Sequence, residues 1–231
     1  MNRFPFVSAV VASSFLLLAC DAQVDPEYRG EPLATIQGAI VDEGGSTGGH
    51  LRTAILNYNF LVNDFGHTDI APVVGSFPAE FRIDLNVPPP AEVLNDFTRG
   101  GARPSESRFS TGYIAVLKEG LDPNVDPASI AGLAEEYMLV YVETDVQPGT
   151  QSERFLGGAL SAGYHLMKWA PMTEAELQAY DACKATPDPR SCGVAEGGDA
   201  DDRLVPNPEE FDSEVTIRIA PPRQFAAANL W

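Results

Sequence analysis

Apolar and polar residues alternate with a period of two along much of this chain. The clearest case runs from Phe77 to Val87, where apolar side chains occupy every odd position and the even positions from 80 to 86 hold Glu, Arg, Asp and Asn. Successive side chains of a strand point to opposite faces of a sheet, so this pattern predicts a strand with one face in a core and the other in water. Phe81 and Ile83 are expected to be buried, and Arg82 exposed.

Six further segments predict strands by alternation or by their β-branched and aromatic content. Within residues 52–62, Leu56 and Tyr58 share one face, and Asn57 and Asn59 lie on the opposite one. The other segments are residues 33–41, 111–119, 137–143, 157–169 and 214–220.

Helical patterns are confined to two short segments. Thr173 and Glu176 form a capping box at the start of residues 173–185. A weaker helical pattern covers residues 90–96, which begin at the last of three consecutive prolines. Seven strands without repeated strand–helix alternation predict an all-β fold. We expect an antiparallel β-sandwich, immunoglobulin-like or transthyretin-like, with one or two short helical insertions.

The amino-terminal residues predict a secretory signal that ends at Cys20. Arg3 supplies a positive charge, an apolar run extends over residues 7–19, and Leu17-Leu18-Ala19-Cys20 resembles the lipobox of bacterial lipoproteins. The run is shorter than the roughly 20 apolar residues of a transmembrane helix. We expect cleavage before Cys20 and acylation of this residue, which anchors the chain because each buried methylene contributes about 0.8 kcal/mol. An ordinary signal peptide is the alternative.

Three parts are expected along the chain. These are a signal peptide at residues 1–19, a lipid-anchored tether at 20–32, and a β-sandwich domain at 33–231 with a helix and an acidic loop inserted at about 172–212. A flexible tether of this length spans about 20 Å on average.

A family resemblance supports this organisation. The segment YRGEPLATIQG after a lipid-modified cysteine resembles the opening of uncharacterised exported lipoproteins of myxobacteria and related bacteria. The segments GYIAVL, YMLVYVE and SAGYHLMK are similar to theirs as well. The resemblance implies an exported, lipid-anchored β protein, and it brings no activity or catalytic residues with it.

The chain is strongly acidic, with 33 Asp and Glu residues against 15 Lys and Arg and a net charge of −18. Nucleic acid and anionic headgroups repel such a chain, so we expect no nucleic-acid partner and a membrane contact made through the acyl chains on Cys20. Asp21 resembles the inner-membrane retention signal of enteric bacteria. Sorting rules differ among lineages, so Asp21 does not assign the protein to the inner membrane. We favour the outer membrane over the inner one.

Beyond Cys20, the only other cysteines are Cys183 and Cys192, nine positions apart across a proline-containing loop. Disulfides persist in exported proteins, so this spacing favours a structural disulfide. A metal or redox site is the rival interpretation, but the CxxC spacing and a neighbouring histidine are both missing from this segment.

The densest negative charge follows Cys192, in the segment EGGDADDRLVPNPEEFDSE. Carboxylate oxygens in glycine-rich acidic loops bind calcium, which makes Asp199, Asp201 and Asp202 candidate ligands. The spacing lacks the full calcium-loop pattern, and a solvated acidic loop is the simpler interpretation. No cofactor other than calcium is expected.

Catalytic motifs are weak. Ser161 in ALSAG is one residue away from a nucleophile elbow, but the flanking residues predict a continuous strand instead of the sharp turn into a helix that an elbow needs. His50, His67 and His165 have no metal-ligand spacing. We therefore expect a noncatalytic cell-envelope protein that has a structural role or binds an envelope protein or glycan. An envelope hydrolase acting through dispersed carboxylates is the alternative, and whether the chain is an enzyme stays open.

Overall fold

Ten β-strands form most of the chain that the computed structural model describes. The described residues are 30–42, 50–59, 64–73, 76–95, 106–120, 124, 127–184 and 202–219. The strands are β1 (Ala34–Asp42), β2 (Leu51–Asn59), β3 (Asp64–Pro72), β4 (Ala79–Leu85), β5 (Phe109–Lys118), β6 (Ile130–Leu133), β7 (Tyr137–Val142), β8 (Gly163–Pro171), β9 (Asp202–Pro206) and β10 (Val215–Ile219). The same part of the chain contains two α-helices and three short 3-10 turns, which are α1 (Gln151–Phe155), α2 (Glu174–Lys184), Ala91–Val93, Pro127–Ser129 and Glu210–Asp212. All of these elements belong to the unit that begins at Glu31.

The central strand of the sheet is β5. One of its edges pairs with β2, which pairs in turn with β3. The other edge is shared, because β6 pairs with the end of β5 near Leu117 and β7 pairs with the end near Phe109. From β6 the sheet continues through β10 and β1 to β4, and from β7 it continues through β8 to β9. The sheet therefore divides into two branches where β6 gives way to β7.

The main core lies between these branches. Side chains of β1, β4 and β10 pack against those of β2, β5, β7 and β8, with Ile36 and Ile217 on one side and Ile55 and Ile114 on the other. We call β2, β5, β7 and β8, with their neighbours β3 and β9, the second layer. Two smaller apolar clusters cover the opposite face of this layer, around Phe109 and around Leu56, Ala115 and Leu117. The expectation of an all-β, sandwich-like fold is confirmed.

One strand pair departs from the expected antiparallel arrangement. β1 and β10 run parallel, with Gly38 opposite Val215, whereas the other paired strands are antiparallel. A hairpin forces neighbouring strands to be antiparallel, but these two strands lie at opposite ends of the described chain and no hairpin joins them. The sheet is therefore mixed. The finer immunoglobulin-like or transthyretin-like type stays a prediction.

The strand predicted at residues 77–87 is confirmed as β4. Its residues alternate strictly between buried and exposed, so that Phe81 and Ile83 lie in the main core while Glu80, Arg82 and Asp84 face solvent. The prediction fails at Val87, whose side chain is 67% exposed. The strand ends at Leu85, and the alternation has no structural meaning beyond that point.

The alternation of polar and apolar residues in β2 does not produce an exposed polar face. Asn57 and Asn59 do lie opposite Leu56 and Tyr58, but both asparagines are buried, and Asn57 is only 3% exposed. β2 lies between β3 and β5, and both of its faces are covered by other parts of the chain. The face of β2 that carries Asn57 and Asn59 is therefore inside the protein, and these amides must find hydrogen-bond partners there.

The strand prediction missed β3, β6 and β9. β3 is a partly exposed edge strand containing glycine, histidine and aspartate, β6 has four residues, and β9 begins within the acidic segment. The predicted strand at 157–169 begins only at Gly163.

The helix predicted from the capping box is α2, where Glu176 Oε2 accepts hydrogen bonds from the backbone N–H and hydroxyl of Thr173. The weaker pattern at 90–96 forms only the 3-10 turn, and α1 was missed. Of the helices among the described residues, none has the length and apolar character needed to cross a membrane.

Candidate functional site

The cysteines singled out by the sequence fall beyond what the structure describes. Cys20 and Cys192 lie outside the described residues. Cys183 belongs to the backbone of α2, but its side chain is also outside the description. Lipidation at Cys20 and a disulfide between the other two cysteines therefore stay predictions.

The candidate calcium ligands are also mostly outside the description. Asp199 and Asp201 lie in the gap between α2 and β9, whereas Asp202 is the first residue of β9 and pairs with Pro171 of β8. Within the described ranges, no group of three His, Cys, Asp or Glu side chains is arranged to hold a metal ion. Calcium binding by the acidic loop stays a prediction.

Ser161 and His165 lie close together, but not as a nucleophile and its base. His165 Nε2 is 2.7 Å from the backbone carbonyl oxygen of Ser161, to which it donates. Its other ring nitrogen, Nδ1, is 3.6 Å from Glu210 Oε1. The imidazole thus ties the start of β8 to the 3-10 turn Glu210–Asp212, which is a structural role.

A chain of polar side chains crosses the second layer on the face that forms the main core, and we call it the polar seam. It consists of Ser110 in β5, Asn57 in β2, and Asp69 and His67 in β3. Strand pairing sets this arrangement, since Asn57 lies directly between Gly112 of β5 and His67 of β3. Directly paired residues share a face of the sheet, so the seam lies on the same face as Ile55 and the core behind it.

Three polar contacts join the seam. Ser110 Oγ donates to Asn57 Oδ1 at 3.3 Å, and Asn57 Nδ2 donates to Asp69 Oδ2 at 3.3 Å. The other carboxylate oxygen, Asp69 Oδ1, is 3.2 Å from His67 Nε2. Ser110 and Asn57 are buried, whereas the side chains of Asp69 and His67 are 33% and 38% exposed. The seam therefore runs from the interior to a charged, solvent-accessible end.

Two glycines shape the seam by leaving space. A Cβ on Gly112 would stand 2.7 Å from Ile55 Cγ2 and 3.1 Å from Asn57 Oδ1, so a side chain there would displace the amide. A Cβ on Gly66 would stand 2.8 Å from Val93 Cγ1. Gly66 also lies at a register irregularity between β2 and β3, and such bulges change where the following side chains point. Here the residue that follows is His67.

Aromatic side chains border the seam on the other side of β5. Tyr141 in β7 pairs with Ser110, and Tyr164 in β8 pairs with Tyr141, with their rings edge-on at a centroid distance of 4.9 Å. The Tyr164 hydroxyl donates to the carbonyl oxygen of Val87 at 2.9 Å. Burial raises the pKa of Tyr164 well above its ordinary value, and the negative charge of Asp69 raises it further. Tyr164 is therefore a neutral hydrogen-bond donor at any physiological pH.

The chemistry of the seam favours recognition over nucleophilic catalysis. A nucleophilic serine needs a base to take its proton, but Ser110 donates to the amide oxygen of Asn57, which is not a base. Asp69 contacts Asn57 with one oxygen and His67 with the other, which holds the carboxylate in a fixed orientation. A fixed, partly exposed carboxylate beside an imidazole presents a hydrogen-bond acceptor and a second polar group to a ligand at the surface.

Sequence reasoning did not find this site. His67 and Asp69 are separated by one residue, the spacing that puts two side chains on the same face of a strand, but the strand itself was not predicted. Asn57 was placed only on the face of a predicted strand opposite Leu56 and Tyr58, and Ser110 belongs to no motif of the sequence. The signal that was available is the pair of asparagines in an otherwise apolar strand, because buried amides imply specific partners.

No protein-family model, curated protein or solved structure matches this chain.

Proposed function

We propose that this protein is a lipid-anchored cell-envelope protein whose β-sandwich domain is a noncatalytic binding module. The sequence Leu17-Leu18-Ala19-Cys20 supports the anchor, and so does the resemblance of the following segments to exported lipoproteins of myxobacteria and related bacteria. With the acyl chains on Cys20 as its membrane attachment, the domain occupies the cell envelope. The outer membrane is the favoured location.

The polar seam is the proposed recognition site, and its exposed Asp69–His67 end is the observation that carries the proposal. Binding sites combine a rigid scaffold with a few convergent polar groups that fix ligand orientation. Here the polar groups stand on paired strands, and the carboxylate accepts a hydrogen bond from Asn57, whose amide is in turn bonded to Ser110. The site is thus preorganised, which lowers the entropic cost of binding.

A neutral polar ligand suits this site better than an anionic one. The net charge of −18 repels anions, whereas the Asp69 carboxylate accepts hydrogen bonds from hydroxyl and amide groups. An envelope glycan supplies such donors in abundance. We therefore place a glycan ahead of an envelope protein as the ligand of the seam.

The anchor is tested by Cys20→Ser. Metabolic labelling with a fatty acid should mark the unsubstituted protein and leave the variant unmarked, and the variant should leave the membrane fraction or retain its signal peptide. Fatty-acid label on the variant would disprove the assignment of Cys20.

Binding is tested by cosedimentation of the detergent-solubilised mature protein with an insoluble, uncharged polysaccharide purified from the cell envelope. Asp69→Asn should weaken cosedimentation roughly tenfold, because hydrogen bonds to charged groups contribute about 1.5–3 kcal/mol. Asp84→Asn is the matched control, since Asp84 is an exposed carboxylate on β4 that pairs with Arg82. Equal binding by both variants would remove the seam as the site. Release of soluble glycan fragments would favour the alternative, an envelope hydrolase.

A further inference from the structure

Large apolar side chains are exposed at three described positions, namely Leu33, Ile70 and Val87. Leu33 and Val87 lie at one end of the β1–β4 pair, where β1 begins and β4 ends, and they are 55% and 67% exposed. Ile70 lies on the edge strand β3 of the other layer and is 51% exposed. Two of the three exposed apolar side chains therefore share the end of the sandwich at which the chain enters the domain.

Backbone contacts fix Leu33 and Val87 in place. The N–H of Leu33 donates to the carbonyl oxygen of Leu85 at 2.7 Å, and the carbonyl oxygen of Val87 accepts the Tyr164 hydroxyl at 2.9 Å. Tyr164 is itself part of the main core. The two side chains are thus presented to solvent by a rigid part of the fold, at the cost of leaving apolar surface in water.

We infer that the end of the domain that carries Leu33 and Val87 rests on the bilayer holding the Cys20 acyl chains. This inference relies on the proposed lipid anchor. Twelve residues separate Cys20 from Leu33, and a chain reaches at most about 3.5 Å per residue, so the covalent link keeps this end of the domain within about 45 Å of the anchored residue. A surface held there gains by placing its apolar side chains among the interfacial groups of the lipid.

Charge determines which bilayer suits this contact. Glu31 is exposed beside Leu33, and the domain as a whole is acidic. Anionic headgroups therefore repel the surface, whereas a zwitterionic bilayer does not. The contact is expected in phosphatidylcholine vesicles and should weaken as anionic lipid replaces phosphatidylcholine at low salt.

The test places a tryptophan at each exposed apolar position of the full lipidated protein. Leu33→Trp, Val87→Trp and the control Ile70→Trp are reconstituted in phosphatidylcholine vesicles whose acyl chains carry bromine, which quenches nearby tryptophan fluorescence. The signal common to all proteins, from Trp169 and Trp231, is subtracted using the unsubstituted protein. The added fluorescence should fall by about half or more at positions 33 and 87 and stay within a tenth of its value at position 70.

Each other outcome has a definite meaning. Equal quenching at all three positions, or at none, would overturn the inference. Protection of positions 33 and 87 from aqueous iodide without quenching by bromine would also overturn it, because a second protein copy or another partner would then cover them. Lipid attachment is measured separately from the mass of the amino-terminal peptide. An unmodified peptide would refute the proposed anchor, whereas a lipidated protein without quenching would refute only the membrane contact.

Discussion

The buried amide of Asn57 in β2 donates to the partly exposed carboxylate of Asp69 in β3, with Nδ2 3.3 Å from Oδ2. The same side chain accepts a hydrogen bond from Ser110 through its carbonyl oxygen. Asn57 is therefore the link between the interior and the surface end of the polar seam.

Replacing Asn57 by Ala should destabilise the domain by about 1–3 kcal/mol, because the buried Ser110 hydroxyl loses its acceptor and Asp69 loses a donor. The free energy of unfolding in urea measures this loss. Asn86→Ala is the control, since the Asn86 amide donates to the backbone of Asp84 in an exposed contact, and its removal should change stability by less than about 0.5 kcal/mol. Equal losses in the two variants would argue against an internal role for the Asn57 amide.

The strict alternation of β4 leads to a second prediction. Phe81→Ala should cost about 3–5 kcal/mol, because Phe81 lies in the main core and its truncation leaves a cavity. Arg82→Ala, one residue away, should be nearly silent, since Arg82 is exposed and its ion pair with Asp84 lies at the surface. Thermal melts of both variants test the contrast, and similar tolerance of the two changes would contradict the assigned face.

The sequence predicted those features of the fold that depend on interactions between residues close together in the chain. The alternation in β4 and the capping box of α2 both followed directly from the sequence, because each depends on residues within a few positions of one another. The burial of both faces of β2 did not, since it depends on other parts of the chain that pack against each face. The parallel pairing of β1 with β10 and the seam that joins β2, β3 and β5 likewise depend on long-range pairing, which no local pattern contains.

The pairing of β1 with β10 depends on the absence of a side chain at Gly38. A Cβ there would stand 1.8 Å from the carbonyl oxygen of Val215, so Gly38→Ala must push the two strands apart. We expect the free energy of unfolding in urea to fall by about 1–3 kcal/mol, as for other overpacked sites. Gln37→Ala, at an exposed neighbouring position, is the control and should be tolerated. A stable Gly38→Ala variant would contradict the close approach of the strands.

Two surface ion pairs, Arg82–Asp84 and Arg108–Glu143, should affect how the free energy of unfolding changes in acid. Hydrogen bonds from Arg82 and Thr35 lower the pKa of Asp84, and the hydrogen bond from Arg108 lowers the pKa of Glu143. A carboxyl whose pKa is lower in the folded than in the unfolded state stabilises the fold at any pH above its unfolded pKa, which is ordinarily 3.8 for Asp and 4.5 for Glu. This contribution is lost as the pH falls through the lower pKa of the folded state. The double variant Asp84→Asn, Glu143→Gln should therefore lose less stability than the parent between pH 5 and about pH 2. Chemical denaturation at each pH measures the difference, and parallel curves would rule out a contribution from these pairs.

The disulfide predicted between Cys183 and Cys192 should be present in the exported protein. Under nonreducing conditions, neither cysteine should react with an alkylating reagent, and reduction should allow both to react, which intact-mass measurement counts directly. Closing a loop this short stabilises the fold by roughly 2–3 kcal/mol in the chain-entropy model, so the pair Cys183→Ser, Cys192→Ser should unfold at a correspondingly lower urea concentration. The single variant Cys183→Ser should lose the same stability, because one cysteine without its partner cannot close the loop. Free thiols in the nonreduced protein, or an unchanged urea midpoint, would count against the bridge and in favour of another role for the two residues.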